Sequence, residues 1–586
     1  MSAINAAIGF VREADHIMIE KLKSQLQQEL EAALKTRHGC EATVIVEEPK
    51  RANQGDISVP VFSLAKPLNL AIPETVSTMI KLIRSTTISH LFASVTGVGG
   101  FINIALAKEA VALEVIQDFR RHESDFGKST FGIGKVVCID YSSPNIAKPF
   151  SIGHLRSTII GHALGNILEN CGYRVVRINH LGDFGTQFGK IIYAYQHYGS
   201  EAAVKKNPIA ELERLYVEFH ERAKTDPALE DSARRIFKEL EDGNPEYVRL
   251  WQWFRDVSLA DYMHIYTKLG VGFDSYDGEA FYNDKMQAVI DELTAKGLLK
   301  EDAGAMIVDL GDDLPPALIQ KSDGSTLYIT RDLAAIFYRK RTYGFDKVLY
   351  VVGNEQKLHF EQLKRLVKLM GYPYSDDIHH VNFGLVLQEG KKMSTRKGKT
   401  VKLINVLDEA IALSLEHIIA KNPELEARET VAEKVGVSAV VFNDLKNYRV
   451  NDFEFNLQDM VNFFGQTGPY LQYTSVRINS ILTGTTFTFT GNLDARWYGR
   501  DDVFEMIKAI SVYPETIARS AAELAPNILA KYLLNLASLF NSFYGKERVL
   551  VEDAAERDTK LHLLYMIKTI LNDGMRLLGM QVIEKM

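Results

Sequence analysis

The chain has 586 residues, 46% apolar and 24% charged, with a net charge of −7. This length exceeds a single core and predicts three or four domains, and no apolar run approaches the roughly 18 residues of a membrane span. Three scattered cysteines, Cys40, Cys138 and Cys171, form neither a disulfide framework nor a zinc site and fit a reducing, cytoplasmic setting.

The N-terminus has no basic region leading into an apolar core, so no secretory leader is expected. Residues 14–37 carry Ile17, Ile19, Leu22, Leu26, Leu30 and Leu34 at helical spacing and predict a long amphipathic helix. ATVIVEE (42–48) predicts a strand, and GGFINIAL (99–106) a second one entered through glycines. A charged helix follows, and FGKSTFGIGK (126–135) reads as a linker. The first domain is therefore placed at 1–125.

From residue 136 strand and helix alternate. VVCID (136–140) is a strand, 152–170 a helix, Gly172 its C′ residue and RVVRIN (174–179) the next strand, which makes one βαβ unit. VLYVVG (348–353) and VNFGLVL (381–387) add strands to an open parallel sheet. A charged helical stretch at about 195–300 reads as an insertion. After about 405 nearly every segment is helical.

The turn between the first strand and its helix reads SSPNIAKPFSIGHLRS (142–157). In an open parallel sheet such a turn is the default ligand site. The helix start offers free N–H groups and a positive dipole end to an anion. Gly153 leaves the backbone open to a flat ring or phosphate. His154 can donate to a phosphate oxygen, and Lys148 can reach the same space as a point charge. Read singly, Lys148 is a solvated loop lysine and His154 a first-turn surface residue. A second basic segment, KKMSTRKGKTVK (391–402), has six basic residues and no acidic one. By composition alone it is a solvated surface run, but its interleaved Met, Ser, Thr and Gly suit a loop that folds over a ligand.

These motifs carry a resemblance. IGH after SSPNIAKPF, with LRSTIIG behind it, resembles the HIGH motif of class I aminoacyl-tRNA synthetases, and the whole SSPNIAK…GHLRST string is similar to arginyl-tRNA synthetases. Ser151 stands where the motif has its first histidine, and its hydroxyl or backbone is expected to retain an ATP contact. Lys392, Met393 and Ser394 resemble the start of the KMSKS loop; Thr395 replaces its second lysine, and Lys148 occupies the place from which many arginyl enzymes supply the missing cation.

The resemblance implies a Rossmann-like α/β catalytic domain at 126–405, containing the insertion and a KMSKS-like loop at 391–398, between a small α+β N-terminal domain and an all-α anticodon-binding domain at 406–586. It implies ligation of L-arginine to tRNA(Arg) through an arginyl-adenylate, with ATP as substrate, Mg²⁺ accompanying it, the 2′-hydroxyl as acceptor and tRNA bound before activation. Lys148, Ser151, Gly153, His154, Lys392, Met393 and Ser394 would hold ATP. Asp140, Tyr328 and Asp332 would hold the guanidinium, a planar fork of five donors that calls for rigid carboxylates. Asn145 and Gln356 would hold the α-amino and carboxyl groups, and His180, Asp183 and Gln187 would line the remaining side. Tyr470, Thr474, Tyr544 and Met586 would meet the anticodon loop, and Phe101 and Asn103 the outer corner of tRNA. By the residues alone, Asp332 equally suits a helix-dipole aspartate, and Tyr328, Tyr470, Tyr544 and Phe101 suit core packing. A monomer is expected, with no resident metal and no membrane association. Two other readings stay open: a tRNA-independent nucleotidylyl transferase on the same fold, and a non-catalytic tRNA-binding relative.

Overall fold

The computed structural model describes residues 2–49, 54–321, 328–393, 395–396, 399–489 and 493–586, with side chains described outside 2–19 and 395–400. The first helix, Ser2–His38, buries Leu26, Leu30 and Leu34. It packs near an antiparallel sheet of β1 (Ile57–Pro60), β2 (Phe92–Val98) and β3 (Phe101–Leu106), in the order β1-β3-β2. Residues 42–48 form a single bridge, Glu47 with Ser58, in place of the expected strand. The N–H of Val44 is bound by the Glu31 carboxylate at 3.0 Å, which withdraws a ladder donor.

The central domain contains β4 (Val136–Asp140), β5 (Arg174–Ile178), β6 (Leu299–Asp302), β7 (Ala305–Val308), β8 (Ala317–Gln320), β9 (Lys347–Tyr350) and β10 (Ile378–His380). β4, β5, β9 and β10 make a parallel sheet in the order β10-β9-β4-β5. The order reverses at β4, so the crevice between the carboxyl ends of β4 and β9 is the topological switch point where ligands bind in such sheets. Cys138, Ile139, Val348 and Leu349 are sealed from solvent at its centre.

The inserted segment is helical from Gln187 to Leu269, including Pro208–Ala223 and Pro245–Leu269. It then adds an antiparallel sheet, β6-β7-β8, absent from the sequence reading. Ala303 and Gly304, both at positive φ, make the two-residue turn that joins β6 to β7. The expected strand at 381–387 is divided. Beyond β10, Asn382 and Gly384 pair with Arg449, and the Leu385 N–H with the Asp452 carboxylate, so the sheet ladder ends. A separate strand β11 (Val386–Gln388) turns back through Gly390 into β12 (Lys391–Lys392), giving the start of the basic segment a hairpin.

The C-terminal part is a helical bundle built on Leu403–Lys421, Arg428–Leu445, Gly468–Thr483, Pro526–Tyr544 and Ala554–Leu577. It is pinned to the central sheet by a buried ion pair. Arg156, on the Leu155–Asn170 helix after β4, meets both carboxylate oxygens of Asp444 at 3.1 Å, and its Nη1 donates to the Asn451 carbonyl at 2.9 Å. Phe383 and Phe453 flank the guanidinium.

Candidate active site

The turn after β4 is a strained piece of backbone held by many hydrogen bonds. Ser142, Ser143 and Ala147 all have positive φ, each without glycine's freedom, at a cost of about 1–3 kcal/mol apiece. The serines explain how the strain persists. The Ser142 N–H donates to Ser157 Oγ, and Ser142 Oγ is bonded to Tyr266 and Thr158 at 2.8 Å each. Ser143 Oγ donates to Asp140 at 3.0 Å. The Tyr262 hydroxyl reaches the carbonyls of both Asn145 and Lys148 at 2.6 Å.

The turn ends in a short 3₁₀ segment, Ile152–His154, leading into the Leu155–Asn170 helix. The Ser151 N–H donates to His154 Nδ1 at 3.2 Å, which leaves Nε2–H as the imidazole's donor. Burial, with the Lys148 charge behind it, pushes the His154 pKa down to about 4. The ring is thus a neutral donor at pH 7, not an imidazolium. An ideal Cβ on Gly153 would meet only Ser151 Oγ, at 3.4 Å. Nothing in the protein demands glycine there, and the exposed backbone is free for a ligand. Lys148 and Asn145 are exposed beside it.

The basic segment returns to this turn. The Ile152 N–H donates to the Val401 carbonyl and the Leu403 N–H to the Phe150 carbonyl, both at 2.9 Å, with Ser151 bridged to Lys402. Lys392 is exposed and Met393 buried in the hairpin. Ser394 lies outside the described residues.

Acidic groups gather across the crevice. Asp140, at the end of β4, pairs with Arg339 (Nη2 to Oδ2, 2.8 Å) in nearly complete burial. Asp332 pairs with His359 Nε2 at 2.6 Å. Burial raises the Asp332 pKa, but the His359 hydrogen bond and the charges of His359, His180 and Arg339 hold it below the ordinary carboxylate value. His180 stacks on Tyr282 and lies within electrostatic reach of Asp140, Arg339 and Asp332. Gln356, exposed in the short turn after β9, sits at the same edge. Gln187 is half-buried at the start of the Gln187–Tyr198 helix.

One expected pocket residue is used otherwise. Asp183 is almost fully buried, and its oxygens accept from Arg255 Nε and the Ala280 N–H at 2.9 Å each. It braces the insertion and does not line the pocket. Tyr328 opens the Tyr328–Tyr343 helix with 69% of its surface exposed, so it is not a core aromatic. Sequence reading missed Arg339, His359 and Glu279. Arg339 follows Asp332 by seven residues, two turns along one helical face, and that spacing was legible. Glu279, 3.5 Å from Arg331, leaves no such trace.

In the helical bundle, Arg477 lies between the rings of Tyr473 and Tyr544, 4.9 and 5.2 Å from their centroids. Its Nη1 donates to Asn541 at 2.7 Å, and Asn541 in turn donates to the Tyr470 hydroxyl at 3.1 Å. Thr474 is fully buried and accepts from Asn541 at 2.9 Å. It therefore supports this aromatic cluster from behind and offers no surface to a ligand. Met586 packs against the cluster of Ile418, Phe463 and Val476. In the N-terminal sheet Phe101 is 37% exposed, edge-on to exposed Phe62, and half-buried Asn103 accepts from Ser58 at 3.2 Å.

With this geometry in place, comparison with known proteins gives a consistent result. A model of the class I tRNA synthetase (R) catalytic domain matches residues 120–457. The arginine–tRNA ligase of Enterococcus faecalis is 50% identical over 544 residues, covering 92% of this chain and 95% of that one. The chain belongs to the arginyl-tRNA synthetase family. Other parts agree with that membership. The DALR anticodon binding domain matches 471–586 and the arginyl tRNA synthetase N-terminal domain 20–106. The ligase of an Exiguobacterium species is 48% identical over 92% of this chain and 95% of its own. The arginyl-tRNA synthetase of Thermus thermophilus shares the fold, with a TM-score of 0.75 at 24% identity over 96% of this chain and all of that one. The Plasmodium falciparum enzyme aligns with a TM-score of 0.73 at 25% identity, covering 97% of this chain and 99% of its own. Among the described residues no helix is long and apolar enough to cross a membrane.

Proposed function

We propose that the crevice between β4 and β9 activates arginine with ATP and that the same site then charges tRNA(Arg). The chain is an arginine–tRNA ligase of class I; the residue roles below are the proposal. One observation carries them: a cationic turn at the helix start and a carboxylate-lined wall share the switch point of one parallel sheet.

In the first step the arginine carboxylate attacks the α-phosphorus of ATP, and the bond to pyrophosphate breaks. Charge grows on phosphate oxygens, so catalysis rests on positioning and fixed donors. Lys148 and Lys392 supply cations from two loops, and His154 supplies a neutral N–H. Gly153 and Ser151 offer backbone and hydroxyl contacts, and Met393 and Ser394 carry the second loop over the nucleotide. Asp140, Asp332 and Tyr328 hold the guanidinium, Asn145 and Gln356 the α-amino and carboxyl groups, with His180 and Gln187 beside them. In the second step the 2′-hydroxyl of the terminal adenosine attacks the acyl carbonyl and AMP leaves.

Mg²⁺ enters on the ATP. Such an ion keeps several phosphate and water ligands. Tyr470, Tyr544 and Met586 read the anticodon loop, with Thr474 behind them, and Phe101 and Asn103 face the outer corner of tRNA. Domains at 1–125, 126–405 and 406–586, a cytoplasmic location and a monomeric state complete the reading.

Pyrophosphate exchange in the presence of tRNA tests it. Lys148→Ala is expected to lose on the order of 10²-fold, typical of one preorganised donor; a loss under threefold removes Lys148 from the mechanism. Activation of lysine within tenfold of arginine would overturn the pocket assignment, because unpaired carboxylates should reject an analogue lacking the fork.

A further inference from the structure

The insertion places one helical stripe over both nucleotide loops. On the Pro208–Ala223 helix, Glu213, Tyr216 and His220 follow one another at three and four residues and so share a face. Glu213 Oε2 lies 3.8 Å from Lys402 Nζ. The ring of Tyr216 lies 5.6 Å from the Lys148 ammonium, and His220 backs that ring edge-on at 4.6 Å. Lys402 is tied to the cationic turn by its bridge to Ser151. The Tyr262 hydroxyl, from the Pro245–Leu269 helix, fixes the Lys148 backbone. Among the described residues no carboxylate forms an ion pair with Lys148, whose neighbour is an aromatic face.

We propose that Tyr216 is a positioning residue for arginine activation: its ring holds the Lys148 ammonium toward the triphosphate without neutralising it. A carboxylate in that place would hold the lysine more firmly but cancel the charge that phosphate oxygens need. A ring face attracts a cation only weakly, far less than a carboxylate does. That narrows the rotamers of a flexible side chain and is readily overcome when an anion arrives. The inserted helix, given no role by the sequence reading, becomes the element that aims a catalytic cation.

The inference rests on the reading of Lys148 as a catalytic group, and the test separates the two. Full-length Tyr216→Phe, Tyr216→Leu, Lys148→Ala and the Leu/Ala double variant are compared in pyrophosphate exchange at saturating tRNA, with melting curves alongside. Tyr216→Leu should lower kcat about 3- to 30-fold, the rate equivalent of a cation–π contact, with the KM for arginine within twofold. Tyr216→Phe should keep kcat within twofold, because the ring and not the hydroxyl acts. In the Lys148→Ala background Tyr216→Leu should cost nothing further. Undiminished loss in that background, equal loss in Phe and Leu variants, or an unimpaired Leu variant beside a 10²-fold Lys148→Ala defect each overturn the role of Tyr216 alone. A Lys148→Ala loss under threefold overturns the Lys148 reading and this inference with it.

Discussion

Asp140 does not wait empty for its substrate: its carboxylate is already bound to the Arg339 guanidinium, 2.8 Å away and buried on both sides. Asp332, with its own partner His359, is the other carboxylate of the wall. Arg339 thus offsets the charge of Asp140, while Asp332 is held by the His359 imidazole. Replacing Arg339 by Met strands a buried carboxylate. The expected cost is about 3–5 kcal/mol of stability, read from urea denaturation, with the KM for arginine raised about tenfold or more and the KM for ATP within twofold. Equal increases in both constants would show that Arg339 serves the whole fold and not the acidic wall.

The neutral state of His154 leads to a comparison with Ser151. His154→Ala removes the imidazole donor of the 3₁₀ turn and should reduce exchange by about 10²-fold. Ser151→Ala removes a hydroxyl that lies 3.2 Å from Nδ1 but keeps the backbone N–H at the same distance, which still holds the ring, and should cost less than tenfold. Equal losses in steady-state exchange would show that the hydroxyl, and not the backbone N–H, holds the ring.

Glu279 gives a pH dependence. Burial pushes its carboxyl from the ordinary 4.5 up to about 7, with Arg331 opposing the shift. The folded state then binds a proton that the unfolded chain has released. The stability that the protonated group contributes is present below pH 4.5 and is lost as the pH rises through about 7. Glu279→Gln, permanently neutral, should therefore be more stable than the parent at pH 8 and lose that advantage at pH 5. Urea midpoints at the two pH values check it, and a difference independent of pH would contradict the shift.

The Arg156–Asp444 pair ties the helix behind the cationic turn to the helical bundle. Asp444→Asn or Arg156→Met should each destabilise by about 3–5 kcal/mol, whereas an apolar pair at both positions should recover much of the loss. A double-mutant cycle in urea measures the coupling. Additive effects would mean that the two side chains act separately.

Arg477 organises the aromatic cluster of the bundle, between Tyr473 and Tyr544. Arg477→Ala should weaken tRNA binding about tenfold, within the energy of one stacked base. At saturating tRNA the KM for arginine should stay unchanged. Direct binding to labelled tRNA tests this, and undiminished affinity would remove the cluster from the tRNA surface.

What the sequence alone determined was the family, its activity and the order of its elements. The run from Asp140 to Ser157 is local: strand end, strained turn and helix start follow one another in the chain, so residue types at fixed offsets single out a candidate ligand site. Helical and strand periodicities are local too, which is why the parallel sheet and the helical C-terminal part could be read. Only the tertiary structure decided which polar groups remain available. Asp183 is engaged by Arg255, 72 residues away, Asp140 by Arg339, and Thr474 is sealed behind Tyr470. It also turned 42–48 into a bridge and divided 381–387, because backbone donors there found side-chain acceptors in other segments. Such pairings depend on burial and on partners far apart in the chain, and they impose no repeat on the sequence. The cost of leaving a buried charge or N–H unpaired decides them, and that cost exists only once the chain has folded.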